Sequence, residues 1–248
     1  MSTDAGNSTL SESLSYDHVP IAPLIFLSEA WARVRGQYWL MVGISLVGLL
    51  LGSLAPFGLL MGPMMFGIFF CHRTLALGQP VSFEMLFKGF EHFLETFIAT
   101  LLMIAASLVV VVPLIFIMVV SMFGLGFLSA ASAQAHDHAQ EGAVIVMVLL
   151  FVGIFLLIMA GSLLVGLLFA FTFPLMVDRG LKGMDAVKLS FRASRANFWG
   201  LLGLHLVLLV LSLVGVCFCY VGAFLVLPLT FGAHWIAYER VFGRAEAD

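Results

Sequence analysis

Charge is what this chain has least of. Only 10% of its 248 residues are Asp, Glu, Lys or Arg, while 62% are hydrophobic and the mean hydropathy is +1.13. An average soluble domain carries about 25% charge. So few ionic groups cannot coat a water-facing surface, and much of the exterior must face lipid. Cations are scarce as well: 11 Lys and Arg against 14 Asp and Glu give a net charge of -3, which leaves no basic excess for a nucleic acid. Three cysteines are too few for a disulfide-stapled secreted domain. No zincin motif, P-loop, Gly-x-Ser-x-Gly or paired carboxylate within an apolar stretch occurs. Hydrolytic chemistry has no carrier, the chain reads as non-enzymatic, and no cofactor is implied.

What is present is apolar sequence in long runs. Gly36 to His72, Thr96 to Ala135, Gly142 to Val177 and Ala196 to Tyr238 contain no Asp, Glu, Lys or Arg. Each exceeds a single crossing, which takes about 20 residues. The first run breaks at Ala55-Pro56-Phe57-Gly58, where proline removes a donor and pushes the preceding residue out of helical geometry. The fourth breaks between Val214 and Gly222. Six spans follow, near Tyr38–Leu54, Phe57–Leu77, Phe93–Met122, Ala143–Val177, Phe198–Val214 and Val221–Tyr238. Eight spans would require turns within Ser107 to Val120, where Pro113 is the sole punctuation. The expected fold is all-α: one polytopic membrane helix bundle over residues 23–243, with six transmembrane helices and amphipathic surface helices on the cytoplasmic side.

The positive-inside rule orients the spans. With six crossings, Arg33, Arg35, Arg73, Lys88, Arg179, Lys182, Lys188, Arg192, Arg195, Arg240 and Arg244 all fall on one face. The other face receives only short turns and the acidic loop His136 to Glu141. Both termini are therefore expected in the cytoplasm, with the spans in a bacterial inner membrane. Residues 1–22, polar and without Lys or Arg, read as a disordered cytoplasmic tail rather than a signal peptide.

An amphipathic segment precedes each outward span. Leu24 to Gln37 sets Leu24, Leu27, Trp31 and Val34 against Glu29 and Arg33. Ser82 to Phe93 sets Phe83, Leu86, Phe87, Phe90 and Phe93 against Glu84, Lys88 and Glu91, with Glu84 and Lys88 an i,i+4 pair. Leu181 to Asn197 sets Met184, Val187 and Phe191 against Asp185, Lys188, Arg192 and Arg195. The returning spans rhyme too: Pro63-Met-Met-Phe66-Gly67 leads to Gly78 as Pro228-Leu-Thr-Phe231-Gly232 leads to Gly243. Three hairpin units, 24–78, 80–180 and 181–243, would form a parallel repeat.

Candidate sites are few. Gly48 and Gly52, with Gly58 and Gly62 beyond the turn, carry small-xxx-small spacing and are expected to face each other within the first hairpin. Arg179, Lys182, Lys188, Arg192 and Arg195 cluster on one amphipathic segment. There, anionic headgroups attract each cation by about 1 kcal/mol. Glu95 and Asp178 are expected beside headgroups at span edges. His205 and His234 are the titratable groups inside spans, each expected to hydrogen-bond a neighbouring helix. His136-Asp-His138 lacks the further ligands of a tight site, so no metal is expected. Cys71, Cys217 and Cys219 read as packing residues.

Several short motifs add a resemblance: Leu86-Phe87-Lys88-Gly89-Phe90, Phe173-Pro174-Leu175-Met176-Val177 with Gly180, Ala186-Val187-Lys188-Leu189-Ser190-Phe191, Asn197-Phe198-Trp199 and the closing Pro228 to Tyr238. On these the chain resembles a group of uncharacterised bacterial integral-membrane proteins, related in pattern to the membrane domain attached to some glycerophosphodiester phosphodiesterases. The likeness covers most of residues 24–243. None of it falls on the catalytic domain, so the resemblance implies no hydrolase activity. The reading is a packing, scaffold or lipid-associated membrane protein, its partners being membrane lipids and a second copy or another membrane protein, with no nucleic acid. The alternative is a transporter or channel for a small or amphiphilic solute, with Pro63, Pro113, Pro174 and Pro228 breaking helices around a cavity.

Overall fold

The computed structural model describes residues 22–132, 137–217 and 221–243. The tail expected over 1–22 lies outside them apart from Ala22, as do His136, Cys219 and Arg244. Among the described residues there is no strand. The α-helices are α1 (Pro23–Val34), α2 (Tyr38–Leu54), α3 (Met61–Ala76), α4 (Phe93–Ser132), α5 (Asp137–Leu168), α6 (Thr172–Arg179), α7 (Gly183–Ala196), α8 (Phe198–Cys217) and α9 (Val221–Phe242). A long 3-10 segment, Phe83–His92, precedes α4. Among the described residues, five stretches are long and apolar enough to cross a membrane: Pro23–Leu54, Phe83–Gly124, Val144–Arg179, Phe198–Cys217 and Val221–Phe242. The chain is thus a multi-pass helical membrane protein.

Proline sets several boundaries. α2 ends at Leu54 because Ala55, ahead of Pro56, is extended at φ -82°, ψ 135°. A 3-10 turn over Pro56–Gly58 follows, closed by Gly58 at φ +66°, so α3 starts at Met61 rather than Phe57. α4 passes through Pro113 without a turn and runs ten residues beyond the expected Met122. The span expected over Ala143–Val177 is two helices instead, parted at Phe169–Phe171. Pro174 has no N–H, and its ring would strike the Ala170 carbonyl four residues back. A hydroxyl from α7 satisfies the opened backbone: Ser190 Oγ accepts from the Phe171 amide at 3.2 Å and donates to the Leu168 carbonyl at 3.3 Å.

Two compact units divide the chain, one comprising residues up to Leu102 and from Leu167, the other Met103–Gly166. Within the first, each returning helix packs on the next amphipathic segment: α3 on Phe83–His92, α6 on α7, and α9 back on α1. α2 pairs with α3, and α8 with α9. The rhyming Gly78 and Gly243 follow α3 and α9 with φ of +72° and +86°, a conformation that favours glycine.

The Phe83–His92 segment corrects the expected α-helical pairing. With three residues per turn, positions i and i+3 eclipse, so Lys88 pairs with Glu91 at 2.8 Å and not with Glu84. Phe87, Phe90 and Phe93 stack at the same interval, with centroids 6.3 and 6.4 Å apart. The buried side is Leu86 and Gly89. Two glycines let this segment lie backbone-to-backbone on α3: a Cβ on Gly67 would strike the Leu86 carbonyl oxygen, and one on Gly89 the Pro63 carbonyl oxygen.

α1 has one buried side and one open one. Its buried side is Phe26, Ala30 and Val34, whereas Leu24 is 72% and Trp31 48% exposed. α9 covers that buried side, and Ala30 sits where a Cβ on Gly232 would be 3.1 Å away.

The second unit pairs the apolar stretches of α4 and α5 beyond Leu102 and before Leu167. Gly161 admits Val110, whose Cγ1 would lie 2.6 Å from an added Cβ. Most described side chains there are exposed and apolar, including Phe116, Phe123, Phe151 and Leu156, as lipid contact requires.

Candidate functional site

Charge in the first unit gathers at helix ends and is mostly spoken for. Glu239, on α9, is almost fully buried and receives both Arg33 nitrogens, at 2.9 and 2.7 Å. The Trp235 indole donates to the same carboxylate at 2.9 Å. A planar guanidinium matches a carboxylate in this two-pronged way. Asp178, on α6, accepts from Arg73 Nε at 3.1 Å and from the Tyr238 hydroxyl at 2.7 Å, tying α3, α6 and α9 together. Asp178 is thus held by protein, because the neighbouring helix ends bring it donors. Arg240 meets Glu29 at 2.7 Å across exposed surface.

Glu95 is likewise held by protein. Its carboxylate accepts from the Gly183 amide at 2.8 Å, placing negative charge at the N-terminus of α7, where the helix dipole favours it. Gly183 is needed there, since a Cβ would strike the Glu95 backbone carbonyl.

Beside this contact lies a pocket of about 250 Å³. Phe66, Phe70, Met176 and Val177 give it apolar walls, while Lys88, His92 and Lys182 stand with Glu91 and Glu95 around it. α3, α6, the 3-10 segment, the start of α4 and the link before α7 position these groups. Within this lining Lys88 is already paired with Glu91 at 2.8 Å, whereas Lys182 forms no salt bridge among the described residues.

The cationic cluster divides. Arg179 turns inward: its guanidinium donates to the Phe242 carbonyl at the end of α9 and lies 5.4 Å from the centre of that ring. Lys182, Lys188, Arg192 and Arg195 are exposed, and among the described residues none forms a salt bridge. α7 buries Ala186, Val187, Leu189, Ser190, Ala193 and Ser194. The opposite arc carries Lys188, Arg192 and Arg195 together with exposed Met184 and Phe191.

The four glycines of the first hairpin do not meet one another. Gly48 approaches Ile68, and Gly52 approaches Met61, both on α3; Gly62 faces Thr96 and Thr100 on α4. Gly58 serves the turn. The tightest approaches belong to Gly67 and Gly89, which the small-xxx-small spacing misses. Their signal is the Phe-Gly of the rhyming motif and the Lys-Gly-Phe of the 3-10 segment.

His205 and His234 come together. Their Nε2 atoms are 3.3 Å apart and their ring planes stand at 83°. Sequence reading picked out each ring alone; equal depth on antiparallel α8 and α9 was the available signal for the pair. Among the described residues, no three His, Cys, Asp or Glu side chains gather as a ligand set. His136 lies outside the described residues, and Asp137 and His138 open α5. No protein family, curated protein or solved structure matches the chain.

Proposed function

We propose that this chain is a non-enzymatic, six-span protein of the bacterial inner membrane that acts by packing and by contact with anionic lipid headgroups on the cytoplasmic side. The observation carrying this reading is the exposed arc of α7, where Lys188, Arg192 and Arg195 lie beside Met184 and Phe191. A helix at the membrane interface has this composition, with apolar groups below the headgroups and cations level with the phosphates. Next to it, Lys182 stands at a pocket where an anionic head would meet it, with Phe66, Phe70 and Met176 against the first carbons of the lipid chain. The resemblance to a phosphodiesterase-associated membrane domain belongs to the same proposal and assigns no catalytic residue.

The sixth span in this reading is α3. Its 16 residues give about 24 Å of helix, short of a hydrocarbon core of about 30 Å. α2, α6 and α9 flank it, so neighbouring protein covers much of what lipid would otherwise touch. Six spans put every Lys and Arg on the cytoplasmic face along with both termini.

The test is lipid retention in nanodiscs of phosphatidylcholine with and without phosphatidylglycerol. Native mass spectrometry should find phosphatidylglycerol enriched on the wild type and depleted on a K182Q/K188Q/R192Q/R195Q variant. The thermal gain from anionic lipid should shrink in the variant and in high salt. Equal retention by both proteins overturns lipid contact as the function. A cysteine replacing Lys188 should be protected from impermeant maleimide added outside spheroplasts; labelling there overturns the orientation.

A further inference from the structure

The two imidazoles inside α8 and α9 are arranged for a cation. Nδ1 of His205 lies 2.9 Å from the Leu201 carbonyl oxygen, and Nδ1 of His234 lies 2.7 Å from that of Thr230. A carbonyl oxygen only accepts. The hydrogen of each neutral ring must therefore sit on Nδ1, leaving each Nε2 with a bare lone pair. Two acceptors then confront each other at 3.3 Å in a part-buried apolar setting, where an unpaired polar group is most costly. Both rings sit roughly 11 Å inside their helix ends by helical rise, at a depth where an ionisable group calls for a function.

We propose that His205 and His234 form a binding site for a late transition-metal ion of the Zn²⁺ class, coordinated through both Nε2 atoms. Zn–N bonds are about 2.0–2.1 Å long, so a 3.3 Å separation of the donors corresponds to an N–Zn–N angle of about 107°, near tetrahedral. The tautomer is the one that coordination needs, and each Nδ1–H donates to a backbone carbonyl, as the rings of metal-bound histidines commonly do. Water or a small ligand completes the shell. A proton shared between the rings is the rival occupant. It would leave the protein without retained metal, which elemental analysis reads directly.

The experiment uses the full chain, purified in detergent without a polyhistidine tag and stripped with EDTA. After incubation with Zn²⁺ and gel filtration, elemental analysis should find one ion per chain. Occupancy should fall at least roughly tenfold in H205N and in H234N, and stay unchanged in H136A/H138A, which removes two imidazoles outside α8 and α9. Co²⁺ in place of Zn²⁺ should give the intense visible bands of a tetrahedral centre. X-ray absorption on zinc-loaded wild type should show two imidazoles and light-atom donors, a readout independent of whether the variants fold. The proposal is overturned by a wild type that retains no metal, by retention that persists in both single variants, by loss in H136A/H138A, or by a shell without two imidazoles.

Discussion

Gly67→Ala is expected to lower the thermal unfolding midpoint of the detergent-solubilised protein by about 10 °C. The added methyl would collide with the Leu86 carbonyl oxygen, which belongs to the backbone of the 3-10 segment and cannot swing aside. Segment and α3 must separate along their contact, and overpacking of this kind costs about 3 kcal/mol at its upper range. In a chain of this size, 1 kcal/mol corresponds to about 2–4 °C. Gly89→Ala loads the same contact from the other side, against the Pro63 carbonyl. The double variant should thus fall short of the sum of the two losses, because one separation relieves both collisions. Gly43→Ala is the control: it lies in α2 with nothing within 4 Å of an added Cβ and should be neutral or stabilising by up to about 1 kcal/mol. If Gly67→Ala unfolds no earlier than Gly43→Ala, the two backbones are not in contact.

Glu239→Ala carries the second large effect, a loss of about 3 kcal/mol read as a drop in the denaturation midpoint. It removes the acceptor for two Arg33 nitrogens and the Trp235 indole at once. Removing one partner of a buried pair leaves an uncompensated charge, whereas replacing both with apolar residues of similar volume is often neutral. R33M/E239L should therefore recover most of the stability lost in E239A. Were the double variant as unstable as E239A, the pair would be stabilising in its own right, and the penalty would not come from a stranded guanidinium. Arg240 and Glu29 give the contrast: they meet on exposed surface, where a pair is worth about 0–1 kcal/mol, so Glu29→Ala should move the midpoint little.

Some of this fold was legible from sequence. The α2 terminus was, because Pro56 acts on its immediate neighbour, and so were the long uncharged runs, because hydrocarbon excludes charge along each helix separately. Period was less legible. The spacing of Phe83, Leu86, Phe90 and Phe93 suits a repeat of 3.6, and the tighter turn emerges only in the fold, where Phe87, Phe90 and Phe93 stack three residues apart. The break at Phe169–Phe171 lies several residues ahead of the proline that causes it. Of the candidate site, composition exposed the cations but not their allegiance. Arg179 belongs to the end of α9 because Phe242 lies within its reach, while Lys188, Arg192 and Arg195 face outward. Arg33 and Glu239 are 206 residues apart, and no local pattern ties them. His205 and His234 were each visible as a polar interruption; their meeting depends on how α8 and α9 are phased.

The seating of α9 on α1 also has a consequence for biosynthesis. Pro23–Val34 is the first described helix to leave the ribosome, and Val221–Phe242 is the last. Through most of translation, therefore, Phe26 and Ala30 lack the surface that will cover them, and Arg33 lacks its counter-ion. Contacts so distant along the chain form late, and half-made membrane proteins with open surfaces are prey to chaperones and proteases. Nascent chains arrested before Tyr238 should keep the α1 region open to protease, and release of the finished polypeptide should close it.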